Sequence, residues 1–170
     1  MSTSADSIHR SPRLRGAQTL EAGLGARLGR THRVMRSAWQ ERIADLGLSP
    51  PQAALLRAVG EWPGSGLREL SRRLGTDAMN TKRLADHLED RGLLRCTSDP
   101  AHRQRRIFDL TDEGAALAGE VSSRAFQWNR DLGAMVGANE LALLQELLAL
   151  LESALESAGS SRPSNEEEWP

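Results

Sequence analysis

Residues 67 to 94 read LRELSRRLGTDAMNTKRLADHLEDRGLL, and this stretch decides the fold. Leu67, Leu70 and Leu74 recur at three and four residues, the spacing of one helical face, and Gly75 stops that helix. Asp77 is placed to cap a second helix that turns Thr81, Leu84, Ala85 and Leu88 inward and ends at Gly92. Two short helices joined by a tight Gly-Thr-Asp turn make a helix-turn-helix. The outward side of the second helix then carries Ala78, Met79, Asn80, Lys82, Arg83 and Asp86.

Downstream, Leu93 to Ser98 and Arg105 to Leu110 are short runs of Ile, Phe, Leu and Thr flanking Asp99-Pro100-Ala101-His102-Arg103-Gln104. They predict a β-hairpin with a basic tip. Thr111-Asp112-Glu113 caps a helix to about Val136, and a final helix from Asn139 to Leu155 is dense in leucine. Upstream, Leu20, Leu24, Leu28, His32, Met35, Trp39, Ile43 and Leu46 mark one face of a long helix ending near Gly47. Ser49 and Pro50 open a short helix through Leu55, Leu56 and Val59, and Trp62 to Gly66 reads as a turn.

The predicted class is therefore mainly α with a small β-hairpin wing, a winged helix-turn-helix flanked by N- and C-terminal dimerisation helices. Its expected divisions are a disordered basic tail (1–16), an N-terminal dimerisation helix (17–48), a winged helix-turn-helix lobe (49–111), C-terminal dimerisation helices (112–158) and a disordered acidic tail (159–170). The last helix has apolar residues at 141, 143, 144, 147, 148, 150, 151 and 155, a face wider than a monomer's surface helix needs. Leu20, Leu24, Leu141, Leu144, Leu148 and Leu151 are accordingly expected at a homodimer interface.

With 170 residues, 39% hydrophobic and 26% charged, the chain fits one globular domain with tails. It lacks a run of about 20 apolar residues, so it is expected to be soluble and cytoplasmic, with no membrane partner. A single cysteine, Cys96, rules out an internal disulfide and a cysteine-based zinc cluster. His9, His32, His87 and His102 form no i, i+4 pair, and neither a metal nor a cofactor is expected. Nucleophile elbow, phosphate loop, metalloprotease helix and dinucleotide fingerprint are all missing, which argues against an enzyme.

Net charge is −1, but its distribution matters more. Residues 1–65 carry nine Arg against five acidic residues and residues 66–110 carry ten basic against seven acidic, whereas residues 111–170 carry three against eleven. A basic front and an acidic back point to a polyanion at one end of the molecule. Arg10, Arg13 and Arg15 in the N-terminal tail are candidates for nonspecific phosphate contacts. Of the 22 basic residues only Lys82 is lysine, and arginine suits bidentate phosphate and base contacts.

A recognition helix places its N-terminal side chains in the major groove, where Asn pairs with adenine, Arg or Lys with guanine, and an apolar group with the thymine methyl. The candidate DNA-contacting set is Arg68, Arg72, Asp77, Ala78, Met79, Asn80, Lys82 and Arg83, with Arg103, Gln104, Arg105 and Arg106 of the hairpin. The competing reading is a winged-helix module for protein contacts that docks through its acidic C-terminal region. The basic wing separates the two, because a protein-binding wing has no need of Arg103, Arg105 and Arg106.

This order and spacing resemble the MarR family of winged helix-turn-helix transcriptional regulators over roughly residues 20 to 155. Leu88-Glu89-Asp90-Arg91-Gly92-Leu93 is similar to that family's Leu-Glu-x-x-Gly-Leu signature. Leu110-Thr111-Asp112-Glu113-Gly114 is similar to its Leu-Thr-x-x-Gly exit from the wing. The resemblance implies a triangular homodimer whose first and last helices interlock, with two recognition helices in successive major grooves of a pseudo-palindromic operator. It further implies repression, and release from DNA when a small-molecule effector binds between the dimer helices and the DNA-binding lobe. The family wing usually carries Asp and, two residues on, a minor-groove Arg; His102 and Gln104 stand there, flanked by Arg103 and Arg105.

Two further groups have competing roles. His32, Met35, Arg36 and Trp39 lie together on the first helix, either as core and dimer contacts or, with Trp128, as the lining of an effector cleft. Cys96 alternates with Leu94 as a half-buried strand residue; the other reading, a redox-sensing thiol, requires an exposed, activated thiolate.

Overall fold

A computed structural model describes residues 23–98 and 106–160, with side chains described as far as residue 158. The expectations for residues 1–16 and 161–170, for Leu20, and for His102, Arg103, Gln104 and Arg105 lie outside the described residues, while residues 159 and 160, expected in the disordered tail, end the last helix instead.

The core forms around α2 (Pro50–Glu61), whose start is written locally. Pro50 occupies the first helical position, and Gln52 Oε1 accepts the Ser49 N–H at 2.8 Å, satisfying a donor that the helix end leaves over. Leu55, Leu56 and Val59 of α2 are fully buried, against Leu70 of α3 (Leu67–Arg73), Leu88 of α4 (Ala78–Asp90) and Val121 of α5 (Asp112–Val136). Truncating any of these leucines to alanine costs about 2–5 kcal/mol.

Between α3 and α4 the buried polar groups are paired. The Ser71 and Thr81 hydroxyls lie 3.0 Å apart, with the carbonyls of Leu67 and Asp77 as neighbouring acceptors at 2.8 and 3.0 Å. A buried hydroxyl without such a partner is costly, so the pair fixes the crossing of the two helices as well as filling it.

The end of α4 explains one sequence signature. Leu93 N donates to Leu88 O at 2.9 Å, Gly92 N donates to Glu89 O at 2.8 Å, and Gly92 has φ +71°. This is a Schellman closure, in which glycine tolerates the left-handed backbone and the two leucines, both buried, make the accompanying apolar contact. The second signature builds the start of α5. Thr111 Oγ1 donates to Gly92 O at 2.7 Å and accepts the Gly114 N–H at 3.0 Å, and Thr111 N donates to Leu93 O at 3.2 Å. A Cβ on Gly114 would fall 1.9 Å from the Leu93 carbonyl oxygen, so only glycine fits there.

The wing strands are β2 (Leu94–Ser98) and β3 (Arg106–Leu110), antiparallel with Cys96 opposite Phe108. The sheet nevertheless has three strands, in the order β1-β3-β2, because Ser65–Gly66 pairs with Ile107 and Phe108 as β1. The expected turn over Trp62 to Gly66 is thus partly a strand. Its two residues carry no side-chain pattern of their own, and Gly64 N is anchored by Asp109 Oδ1 at 3.0 Å.

At the N-terminal side, α1 spans Leu24–Arg42 and is followed by a 3-10 turn at Ala44–Leu46, which corrects the single helix expected to run to Gly47. Ile43 leaves helical geometry, at φ −113° and ψ 9°, yet is fully buried. The apolar spacing runs on because a 3-10 turn still aligns residues three apart, here Ile43 and Leu46. Arg124 of α5 fixes this bend: its guanidinium holds both carboxylate oxygens of Asp45, donates to the Arg42 carbonyl at 2.8 Å, and binds Glu120 at 2.7 Å. Hydrogen bonding from Arg124 holds the Asp45 carboxyl below its ordinary value of 3.8.

The last helix, α6 (Ala138–Ser160), packs on α5 and buries no residue among those described. Leu143, Leu144, Leu147, Leu150 and Leu155 are each about half exposed or more, at 49–67%. Phe126, Met135 and Val136 of α5, and Leu24 and Val34 of α1, are similarly uncovered. No single helix among the described residues is long and apolar enough to cross a membrane.

Candidate nucleic-acid interface and adjoining cavity

The exposed end of α4 is held from behind. Asp77 caps the helix by accepting the Asn80 N–H at 2.7 Å, so its carboxylate, expected among the DNA contacts, is committed to the cap. Thr81, Ala85 and Leu88 anchor the opposite face in the core. Ala78, Met79, Lys82 and Arg83 project into solvent, with Met79 83% exposed.

Arginines surround it. Arg68 and Arg72 of α3 are exposed, as is Arg106 at the start of β3, whose Nε donates to Cys96 Sγ at 2.9 Å. Arg73 differs, because its guanidinium lies 4.1 Å from the Trp62 ring centre and pairs with Glu69 at 2.9 Å. It braces α3 against the wing base. Lys82 pairs with Asp86 at 2.6 Å along the exposed face of α4, an interaction that water leaves weak and exchangeable. Cys96 is half-buried, as its alternation with Leu94 implied.

Asn80 is the exception within the expected outward set. It is half-buried, donating from Nδ2 to Thr76 Oγ1 at 3.0 Å and accepting from Arg83 Nη2 at 3.1 Å. Its position, three residues after the cap, turns it toward the start of α2 instead of straight outward, a tertiary relationship that helix spacing does not reveal.

That side of the lobe borders a cavity of about 430 Å³. His32, Met35, Arg36 and Trp39 of α1 and Trp128 of α5 all line it, so the structure brings the five residues singled out in the sequence to one place. The Trp39 and Trp128 rings stack with centroids 5.2 Å apart and planes 11° from parallel. The opposite wall comes from residues that the sequence did not assign to a cleft: Pro50, Pro51 and Ala54 of α2, Leu74 and Thr76 of the turn, and Asn80 and Leu84 of α4. The Pro50-Pro51 pair was the one available signal, since it gives that wall a rigid first turn. The lining is mostly apolar with a few converging polar groups, the usual character of a small-molecule site. The described residues contain no group of three or more His, Cys, Asp or Glu able to hold a metal ion.

A helix-turn-helix followed by a two-stranded wing, whose sheet is completed by β1 from before it, defines the class as a winged helix. A sequence profile of the MarR family matches residues 46–105. The transcriptional regulator HosA of Escherichia coli O111:H- is 38% identical over 80 residues, covering 46% of this chain, which spans 57% of that protein's length. The transcriptional repressor CouR, solved bound to a 23-mer DNA duplex, superposes with a TM-score of 0.74 at 27% identity, covering 80% of this chain and 96% of CouR. The PcaV regulator of Streptomyces coelicolor, solved with its natural ligand, gives a TM-score of 0.66 at 26% identity over 78% of this chain and 96% of that one. Over its helix-turn-helix lobe the chain is similar to the MarR family, and its fold is that of MarR-type winged-helix regulators.

Proposed function

We propose that this protein is a non-enzymatic transcriptional repressor that binds a pseudo-palindromic operator as a homodimer and is released by a small-molecule effector. The observation that carries this reading is the exposed first turn of α4, with Met79, Lys82 and Arg83 projecting from a helix capped by Asp77 and anchored in the core. Polar and cationic side chains so presented meet base edges, while Arg68, Arg72 and Arg106 meet phosphates and set affinity. That CouR is solved on a DNA duplex supports the same use of the fold here.

Dimerisation follows from the uncovered leucines of α6, since monomers rarely expose so continuous an apolar face. Of the expected interface residues Leu24 and Leu144 are exposed and contribute to this interface, with Leu143, Leu147, Leu150 and Leu155, whereas Leu141, Leu148 and Leu151 are already half-buried within one chain. The cavity beneath α1 is the effector site, sized for a flat aromatic molecule against the stacked Trp39 and Trp128, with His32 and Arg36 available to an acidic group. PcaV, solved with its natural ligand, supports a ligand-responsive reading.

Selection of bound sequences from a random duplex pool, followed by affinity measurements at two salt concentrations, tests the proposal. An inverted repeat with half-sites about 34–36 Å apart, bound by two chains, is the expected result. Weak, strongly salt-dependent binding with no enriched motif would overturn it.

A further inference from the structure

Thr76 and Asn80 bring polar atoms to the wall of the cavity formed by the helix-turn-helix, and both belong to a chain of hydrogen bonds that ends on the exposed face of α4. Asn80 Nδ2 donates to Thr76 Oγ1 at 3.0 Å, and Asn80 Oδ1 accepts from Arg83 Nη2 at 3.1 Å. The backbones at both ends are pinned: Thr76 N donates to Ser71 O at 3.0 Å, and Asn80 N to Asp77 at 2.7 Å. What remains free to respond to an occupant is the orientation of the Asn80 side-chain amide.

An amide is one rigid plane with two donor hydrogens on nitrogen and its acceptor oxygen on the opposite side. Turning Nδ2 toward an oxygen in the cavity therefore swings Oδ1 away from Arg83. Lys82 is held by Asp86 at 2.6 Å, on a bond that does not involve the cavity-lining residues, and is left as it was. We infer that Asn80 is a positioning residue that couples the cavity to the DNA-reading surface, holding Arg83 in place when the cavity is empty and releasing it when a ligand oxygen takes the amide. Asn80 on this view does not itself read a base. The inference rests on the reading of the cavity as an effector site and names the route by which that site reaches DNA.

The test uses the full chain, the duplex enriched by selection, and 4-hydroxybenzoate as a flat aromatic acid probe, with binding followed by quenching of tryptophan fluorescence. Coupling between two sites is typically 5- to 150-fold, and a loss of at least tenfold in duplex affinity at saturating probe is expected for the natural sequence. In Asn80→Ala the probe still binds, at up to about tenfold lower affinity, but at saturation it weakens duplex binding less than about twofold. Alanine favours helix, so α4 persists, and an unchanged melting profile checks this. Without probe, Asn80→Ala/Arg83→Ala binds the duplex no more weakly than Arg83→Ala alone.

A full ligand-induced loss in Asn80→Ala would overturn the inference. So would single-variant effects that multiply in the double variant, because Asn80 would then touch DNA independently of Arg83. Failure of the natural sequence to quench with the probe and to lose duplex affinity counts against the effector reading itself. The ligand-free comparison still decides whether Asn80 acts through Arg83.

Discussion

The lobe from α2 to the start of α5 and the helical arms made by α1 and α6 solve the problem of apolar surface in opposite ways. In the lobe Leu55, Leu56, Leu70 and Leu88 are fully buried and the polar pair Ser71 and Thr81 is satisfied. In the arms, α1 and α6 bury no residue among those described, and five leucines of α6 are about half exposed or more. One region completes itself within a single chain, and the other leaves an apolar face that the proposed dimer would cover. Stability of the lobe should therefore be independent of protein concentration, whereas that of the arms should follow mass action.

The largest expected effect breaks the arms and spares the lobe. Leu144→Glu with Leu147→Glu places two charges on the open face of α6, and sedimentation should show monomers. Operator affinity then falls at least 100-fold, since each half-site is bound alone, while lobe secondary structure by circular dichroism is retained. A variant that remains dimeric would remove α6 from the interface.

Gly114→Ala attacks the lobe instead. Its methyl group meets the Leu93 carbonyl, and a loss of roughly 3 kcal/mol is expected in urea unfolding, the same at every protein concentration. Next comes Thr81→Val, which removes the hydroxyl pair while Ser71 keeps the Leu67 carbonyl as its acceptor, and should cost about 0.5–1.5 kcal/mol by the same measurement. Asp77→Ala removes only the cap of α4 and should cost about 1 kcal/mol in thermal unfolding.

The smallest effect lies at the junction of the two regions. Because Arg124 depresses the folded-state pKa of Asp45 below 3.8, the unfolded chain binds the proton first. The stabilisation is thus present above about pH 4 and lost as pH falls through the lower folded value. Asp45→Asn should be slightly less stable at pH 7, and its deficit should vanish toward pH 2 in thermal scans. A deficit that does not change with pH would assign the effect to packing.

What the sequence made legible was local. The cap at Asp77, the glycine closure at Gly92 and the capping threonine Thr111 each depend on residues within five positions, and the structure has all three. Features set by distant partners were hidden. β1 exists because Phe108 and Ile107 supply its ladder, and the break after Arg42 exists because Arg124, 82 residues away, captures the carbonyl. For the site, spacing placed Met79, Lys82 and Arg83 outward but put Asn80 with them, since its turn toward Thr76 is tertiary. The cavity's α1 side was visible as a cluster on one helix; its other wall required the packing of α2 and α4.

The clasp where Thr111 bonds Gly92 and Leu93 also closes the base of the hairpin independently of its tip. The chain enters and leaves the hairpin at one fixed point, so lengthening the loop leaves α4 and α5 where they are, at an entropic cost of only about 0.6 kcal/mol per doubling of its length. A tip of different reach and sequence can thus be grafted between Ser98 and Arg106, provided that Leu94 and Phe108, which belong to the core, and the pairing of Ile107 and Phe108 with β1 are kept. On the proposed function, contacts made by the wing tip would then be open to change separately from those made by α4.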